Sequence, residues 1–188
     1  MSAISGIIDF EGSPIIADQG ARMMAALANA SADHVSSWHD AHVFFGCRNQ
    51  WFTPEATHEC LPVFDHRSGL AITADAIIDN REELFAELMI PSADQNKISD
   101  GVLILLAYEK WREETPKHLV GDFAFMIWDS KAHVLFGARD FSGNRMLYYS
   151  DIGCQVAFGS TIESILALPQ SSSKLNEDWL AQFLVIPD

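Results

Sequence analysis

The sequence predicts an α+β fold with mainly antiparallel sheet, and three observations lead there. Short apolar runs bounded by turn residues pair up as hairpins in the second half, at Phe123 to Trp128 with Val134 to Ala138 and at Met146 to Tyr149 with Gln155 to Gly159. Helical patterns interrupt the strands irregularly, which argues against a doubly wound sheet. The 188 residues are 48% hydrophobic and 20% charged, with 12 Phe and 5 Trp to fill one globular core.

Ile4 to Phe10 reads as a buried strand, followed by a turn at Glu11-Gly12-Ser13-Pro14. Asp18 to Ala30 suits a helix, with Met23, Met24 and Leu27 at helical spacing. Val43 to Gly46 is a short strand, and Asn49 to Leu61 is irregular around Pro54. Leu70 to Ile78 is a strand that puts Ala71, Thr73 and Asp75 on one face. Arg81 to Met89 is a short helix. Ser99 and Asp100 precede a helix from Gly101 to about Arg112, apolar nearly all round and therefore buried. The segment from Asp129 to His133 turns the first hairpin, and Asp151-Ile152-Gly153 turns the second. Thr161 to Leu168 is a helix that Ser160 can cap, with Glu163 at the third position after it, and Pro169 stops it. Ser171 to Ser173 link to a last helix from Asn176 to Val185, before Pro187 and Asp188. No internal repeat or low-complexity tract appears.

The formal net charge of −14 repels phosphate backbones, so no nucleic-acid partner is expected. Cys47, Cys60 and Cys154 form neither a disulfide framework nor a CxxC pattern, which fits a reducing cytoplasm. The amino terminus lacks a basic signal-peptide region, and the longest apolar run, Val102 to Tyr108, falls short of the ~18 residues of a membrane span. No membrane partner is expected. His58, Glu59 and Cys60 are adjacent and point apart on an extended chain, so no metal site is expected.

One succession of motifs is more specific. Gly121-Asp122-Phe123-Ala124-Phe125-Met126-Ile127-Trp128-Asp129 is followed by Phe136-Gly137-Ala138-Arg139-Asp140, by Gly143-Asn144-Arg145-Met146-Leu147-Tyr148-Tyr149, and by Phe158-Gly159-Ser160. This order resembles the GxFAFxxWD strand, ARDxxG turn, PLYY strand and FASE segment of class II glutamine amidotransferase domains, as found in the asparagine synthetase family. The opening Met-Ser-Ala-Ile-Ser-Gly-Ile is similar to that family's Met-Cys-Gly-Ile-x-Gly-Ile. The likeness runs from residue 1 to about 170. It implies the N-terminal-nucleophile hydrolase fold, a four-layer αββα sandwich of two stacked, mainly antiparallel sheets.

The resemblance also implies site residues. The family's nucleophile is a cysteine exposed by methionine removal, with its own α-amino group as base. Ser2 stands there, and a hydroxyl is far less acidic than a thiol. The family's oxyanion hole comes from an Asn side chain and a Gly N–H; registering on Asn80 puts Asp75 and Ala76 at those positions. An ionised Asp75 repels a developing negative charge. The arginine that grips the substrate carboxylate falls on Asn49 in the best register and on Arg48 after a one-residue shift. The carboxylate that holds the substrate α-amino group is kept as Asp100, which also suits a helix N-cap. Together these changes imply a silent glutaminase.

The stretches Thr53 to Glu59 and Ala74 to Leu84 are similar to those of lasso-peptide cyclases and β-lactam-synthetase-like members. The family's second half is an ATP-pyrophosphatase domain with a Ser-Gly-Gly-x-Asp-Ser loop. No Gly-Gly pair occurs in this sequence, so no cofactor is expected on this chain; ATP and Mg are implied for a synthetase domain in cis or in trans. Residues 1–170 are then an amidotransferase-like domain, and 171–188 a linker and first helix leading to the synthetase. The expected role is a non-catalytic domain supporting an amide-forming synthetase. The alternatives are a serine-type N-terminal amidase acting on glutamine and a free-standing interaction module.

Overall fold

The computed structural model describes residues 1–15 and 17–185. Its strands and helices run β1 (Ala3–Asp9), α1 (Ala17–Ala26), β2 (His34–Asp40), β3 (Val43–Asn49), β4 (Val63–Asp65), β5 (Leu70–Ile78), α2 (Arg81–Glu87), α3 (Ser92–Gln95), α4 (Asp100–Trp111), β6 (Gly121–Asp129), β7 (Val134–Arg139), β8 (Tyr148–Ile152), β9 (Gln155–Gly159), α5 (Ile162–Leu166) and α6 (Glu177–Val185). A five-stranded sheet has the order β2-β3-β1-β9-β8 and a four-stranded sheet the order β4-β5-β6-β7. Every paired neighbour is antiparallel.

Strand β1 is buried along its whole length because it sits centrally, with β3 on one side and β9 on the other. Its side chains alternate between two cores. Ile4 and Ile8 join Phe45, Phe158 and Trp128 between the sheets. Ile7 faces outward to Met23 of α1 and Ile165 of α5. Helix α4 packs on the outer face of β5, with α2 against it, and its Tyr108 stacks on Phe136 of β7. The layers are thus helix, sheet, sheet, helix.

Several boundaries differ from those read in the sequence. Helix α1 stops at Ala26, and Leu27 to Asn29 form a turn rather than a further helical turn. Strand β2 was not expected, because its alternation carries few apolar side chains: it is an edge strand with half its residues exposed. Strand β3 continues past Gly46 to Asn49, paired on both sides. The second hairpin turns at Gly153 and Cys154, because Asp151 and Ile152 still pair with Val156 and Gln155. The cap of α5 is Thr161, whose hydroxyl accepts the Ser164 N–H; Ser160 instead accepts the Ile4 N–H. The end of the expected last helix and linker region, residues 186–188, lies outside the described residues.

Helix α6 buries none of its residues and leaves Trp179, Phe183, Leu184 and Val185 exposed. No helix of the described residues is long and apolar enough to cross a membrane. Cys47 is buried, Cys60 and Cys154 are exposed, and all three are free thiols. No group of three or more His, Cys, Asp or Glu among the described residues could hold a metal ion.

Candidate functional site

Strand β1 begins beside the inner face of β5, so Ser2 and Asp75 meet. The Ser2 N–H donates to the Asp75 carboxylate at 3.0 Å, and the Ser2 hydroxyl accepts the Gln50 N–H at 2.9 Å. The Met1 ammonium donates to the Gln50 side-chain oxygen. Burial lowers the pKa of that ammonium below its ordinary value, against the opposing pull of Asp75.

Arg145 closes the cluster from the far side. Its guanidinium lies 3.4 Å from Asp75, and the two side chains are only 6% and 11% exposed. The turn before β8 places it there: Asp140 accepts the backbone N–H groups of Asn144 at 3.0 Å and Arg145 at 3.1 Å. Arg145 Nε is buried with no protein partner among the described residues. Burial raises the pKa of Asp75, and the Arg145 charge opposes this.

Ser2, Gln50, Asp75, Ala76, Glu59 and Arg145 line a cavity of about 10 Å³. Roughly 10–15 Å³ is needed to admit one water molecule. Three predicted residues, Ser2, Asp75 and Ala76, are therefore brought together, around a space too small for glutamine.

The other three are engaged elsewhere. Arg48 donates through Nε to the Ala30 carbonyl at 2.9 Å. Asn49, 2% exposed, brackets Leu61: its amide donates to the Leu61 carbonyl at 2.8 Å, and its oxygen accepts the Leu61 N–H at 3.2 Å. Neither is free to grip a substrate carboxylate in this arrangement. Asp100 is the first residue of α4 rather than its cap, which is Ser99. It accepts the Ile78 N–H at 3.1 Å and pairs with Arg81, whose guanidinium also donates to the Ile98 carbonyl at 2.6 Å.

Glu59 takes the α4 N-terminus instead, accepting the Gly101 N–H at 2.8 Å from across 42 residues. Burial is the largest influence on its carboxyl and raises its pKa; the Gly101 and Ser99 hydrogen bonds pull the other way. A raised folded pKa means the folded chain binds the proton more tightly than the unfolded chain. Stability from this group is then lost as pH rises from the unfolded value of about 4.3 through the folded one. Glu59→Gln keeps an acceptor for Gly101 and does not titrate. Its melting temperature relative to the native chain is expected to rise as pH increases from 4 to 7. A difference that stays flat or falls over that range would contradict this.

Sequence reasoning missed Gln50, Glu59, Arg81 and Arg145 as members of this cluster. Arg145 lay within a quoted motif, but only as a marker of fold.

A family model described as a glutamine amidotransferase domain matches residues 1–187. The chain is 30% identical over 195 residues to asparagine synthetase [glutamine-hydrolyzing] 3 of Bacillus subtilis, covering 97% of this chain and 30% of that protein. It is 31% identical over 163 residues to asparagine synthetase [glutamine-hydrolyzing] 1 of the same organism, covering 87% and 26%. The chain thus spans less than a third of the length of these relatives. Among solved structures, a glutamine phosphoribosylpyrophosphate amidotransferase from B. subtilis, complexed with ADP and GMP, matches with a TM-score of 0.65 at 13% identity. The match covers 88% of this chain and 43% of that one. The allosteric regulatory enzyme of purine biosynthesis matches with a TM-score of 0.57 at 15% identity, over the same shares. These two likenesses carry the fold alone, which is the N-terminal-nucleophile hydrolase sandwich.

Proposed function

This chain belongs to the glutamine amidotransferase domain family, and from that premise we propose that its glutaminase is silent and that it serves as the structural, docking domain of an asparagine-synthetase-like enzyme. The observation that carries this reading is the filled site: Asp75 and Arg145 pair where substrate and oxyanion would sit, leaving about 10 Å³.

The chemistry of the cluster supports it further. An α-amine acts as a base only when neutral. Were Met1 removed, the Ser2 amine would lie where its N–H now sits, 3.0 Å from the Asp75 carboxylate. That neighbour favours the protonated ammonium and disfavours the base. The same carboxylate supplies no amide donor to an oxyanion, and losing one such donor costs about 100- to 1,000-fold in rate. The two remaining substrate contacts are spent inside the fold, Asp100 on Arg81 and Asn49 on Leu61.

In this reading the partner is an ATP-dependent, amide-forming synthetase domain in cis or in trans, which brings the ATP and Mg. The lasso-peptide cyclase and β-lactam-synthetase-like subtype is favoured by the stretches Thr53 to Glu59 and Ala74 to Leu84. Residues 1–170 form the domain and residues from 171 onward lead toward the synthetase, in a cytoplasmic setting.

The test is ammonia or glutamate release from glutamine by the purified chain and by Ser2→Cys. Neither is expected to release either product above the buffer rate. Release by the native chain, abolished in Ser2→Ala, would instead make Ser2 a working nucleophile. Release by Ser2→Cys alone would show that the pocket opens to glutamine and only the nucleophile was lost.

A further inference from the structure

The two sheets do not close on each other at every edge. Leu135, Gly137 and Arg139 of β7 stand opposite Trp128, Met126 and Ala124 of β6, so they share the inner face of their sheet. Tyr149 and Asp151 of β8 stand opposite Phe158 and Val156 and share the inner face of the other. Inner-face residues of a sandwich ordinarily meet and exclude water. Here Tyr149 remains 74% exposed and Phe10, just past β1, 47% exposed. The gap is a cleft of about 450 Å³ whose apolar walls include Phe10, Leu135, Leu147, Tyr149 and Val156. That size falls within the roughly 300–1,000 Å³ of ordinary small-molecule sites. Glycine at position 137 keeps the floor low, because a Cβ there would lie 2.4 Å from the Met126 sulfur.

The strand register gives the cleft a direction. Arg139 stands level with Asp75, since both pair with Ala124. Asp75 accepts the Ser2 N–H, so this is the Ser2 end of β1. Asp151 stands level with Ile8, since both pair with Val156. The cleft therefore runs alongside β1, and its two charged positions are about six strand residues, or roughly 20 Å, apart. The Arg139 guanidinium lies along the Gly143 backbone, 3.1 Å from where a Cβ of that residue would sit. Among the described residues, it has no hydrogen-bond or ion-pair partner. The other six arginines all do: Arg22, Arg67, Arg81, Arg112 and Arg145 on carboxylates, and Arg48 on the Ala30 carbonyl. An unpaired guanidinium at one end of an apolar cleft favours a carboxylate there. Asp151 repels a second anion at the other end. The matching chemistry is an apolar chain with a single carboxylate.

We infer that the β7–β8 cleft binds a medium-chain alkyl monocarboxylate, its carboxylate on Arg139 and its chain running over Gly137 toward Phe10 and Asp151. The carboxylate end lies beside the Ser2 cluster, yet no residue lining the 10 Å³ cavity there also lines this cleft. The inference does not rest on the glutaminase reading, and either can fail without the other.

The probes are hexanoate, octanoate, decanoate and dodecanoate, titrated against the purified chain by calorimetry below their micelle-forming concentrations. One saturable site is expected, with each added methylene tightening binding about fourfold until the cleft is filled. Octanol and octylamine are expected to bind about tenfold more weakly than octanoate, as a lost charge-assisted hydrogen bond predicts. Arg139→Gln is expected to bring octanoate down to the level of octanol and to leave octanol unchanged. The free end is read by ω-aminododecanoate, which is expected to bind more tightly than dodecanedioate because it meets Asp151 with the opposite charge. No saturable binding of dodecanoate at millimolar concentration would overturn the inference. So would equal binding of octanoate and octylamine by the native chain, a comparison that depends on no variant. Octanoate binding unchanged in Arg139→Gln, or equal binding of the two dodecanoate derivatives, would overturn it as well.

Discussion

Arg145→Met is expected to destabilise the folded chain by about 3–5 kcal/mol near neutral pH, as breaking a buried ion pair from one side does. The two side chains are nearly as buried as core residues, at 6% and 11% exposure. Methionine fills much of the volume but supplies no charge, so Asp75 keeps the Ser2 N–H as its hydrogen-bond donor and the Met1 ammonium as its nearby positive charge. Burial already raises the Asp75 pKa against the pull of Arg145, and without that pull the pKa rises further. The folded variant then holds its proton to higher pH than the unfolded chain. Stability falls as pH rises through that raised value, so the loss is larger at pH 7 than at pH 5. Adding Asp75→Asn removes the stranded charge and is expected to recover most of the loss, a coupling that a double-mutant cycle reads directly. Urea midpoints with an unchanged slope would measure it. A loss below about 1 kcal/mol, with no coupling, would mean that the pair is not buried as described.

Gly121→Ala is the second large effect. Gly121 opens β6 with φ +139°, and it pairs with Ile78 at the end of β5. A Cβ there would lie 2.2 Å from the Ile77 carbonyl oxygen and 3.1 Å from the Ile78 Cα. Both are backbone atoms of the paired strand, so no side chain can swing aside. The expected loss exceeds about 4 kcal/mol, the range reserved for severe structural conflict, and the soluble yield should fall with it. Gly12→Ala is the control. Gly12 has φ +78° and nothing within 4 Å of its Cβ position, so only backbone strain of about 1–2 kcal/mol applies. Similar melting temperatures for the two variants would remove the clash argument.

The second half of the fold was legible because β6, β7 and β9 are apolar runs with turn residues between them, a pattern that depends only on neighbours in sequence. Strand β2 was illegible for the complementary reason. As an exposed edge strand it needs little apolar material, and His34, Ser36, Ser37, His39 and Asp40 hide its period. The site divides in the same way. Ser2, Asp75 and Ala76 could be placed from motif register, and they do converge. What Arg48, Asn49 and Asp100 bond to depends on residues 18, 12 and 19 positions away, which no local pattern reports. The Asp75–Arg145 pair spans 70 residues and becomes visible only once the sheets are stacked.

Helix α6 carries its own consequence. It shares no buried side chain with the sandwich, and nine residues make a helix that is marginal in water without tertiary cover. Its conformation is thus governed by whatever surface it lies against, while the melting of the sandwich is governed elsewhere. Thermodynamically it is a passenger on this domain: its apolar side chains Trp179, Phe183 and Leu184 are exposed, so its helicity can change without moving the melting of the sandwich.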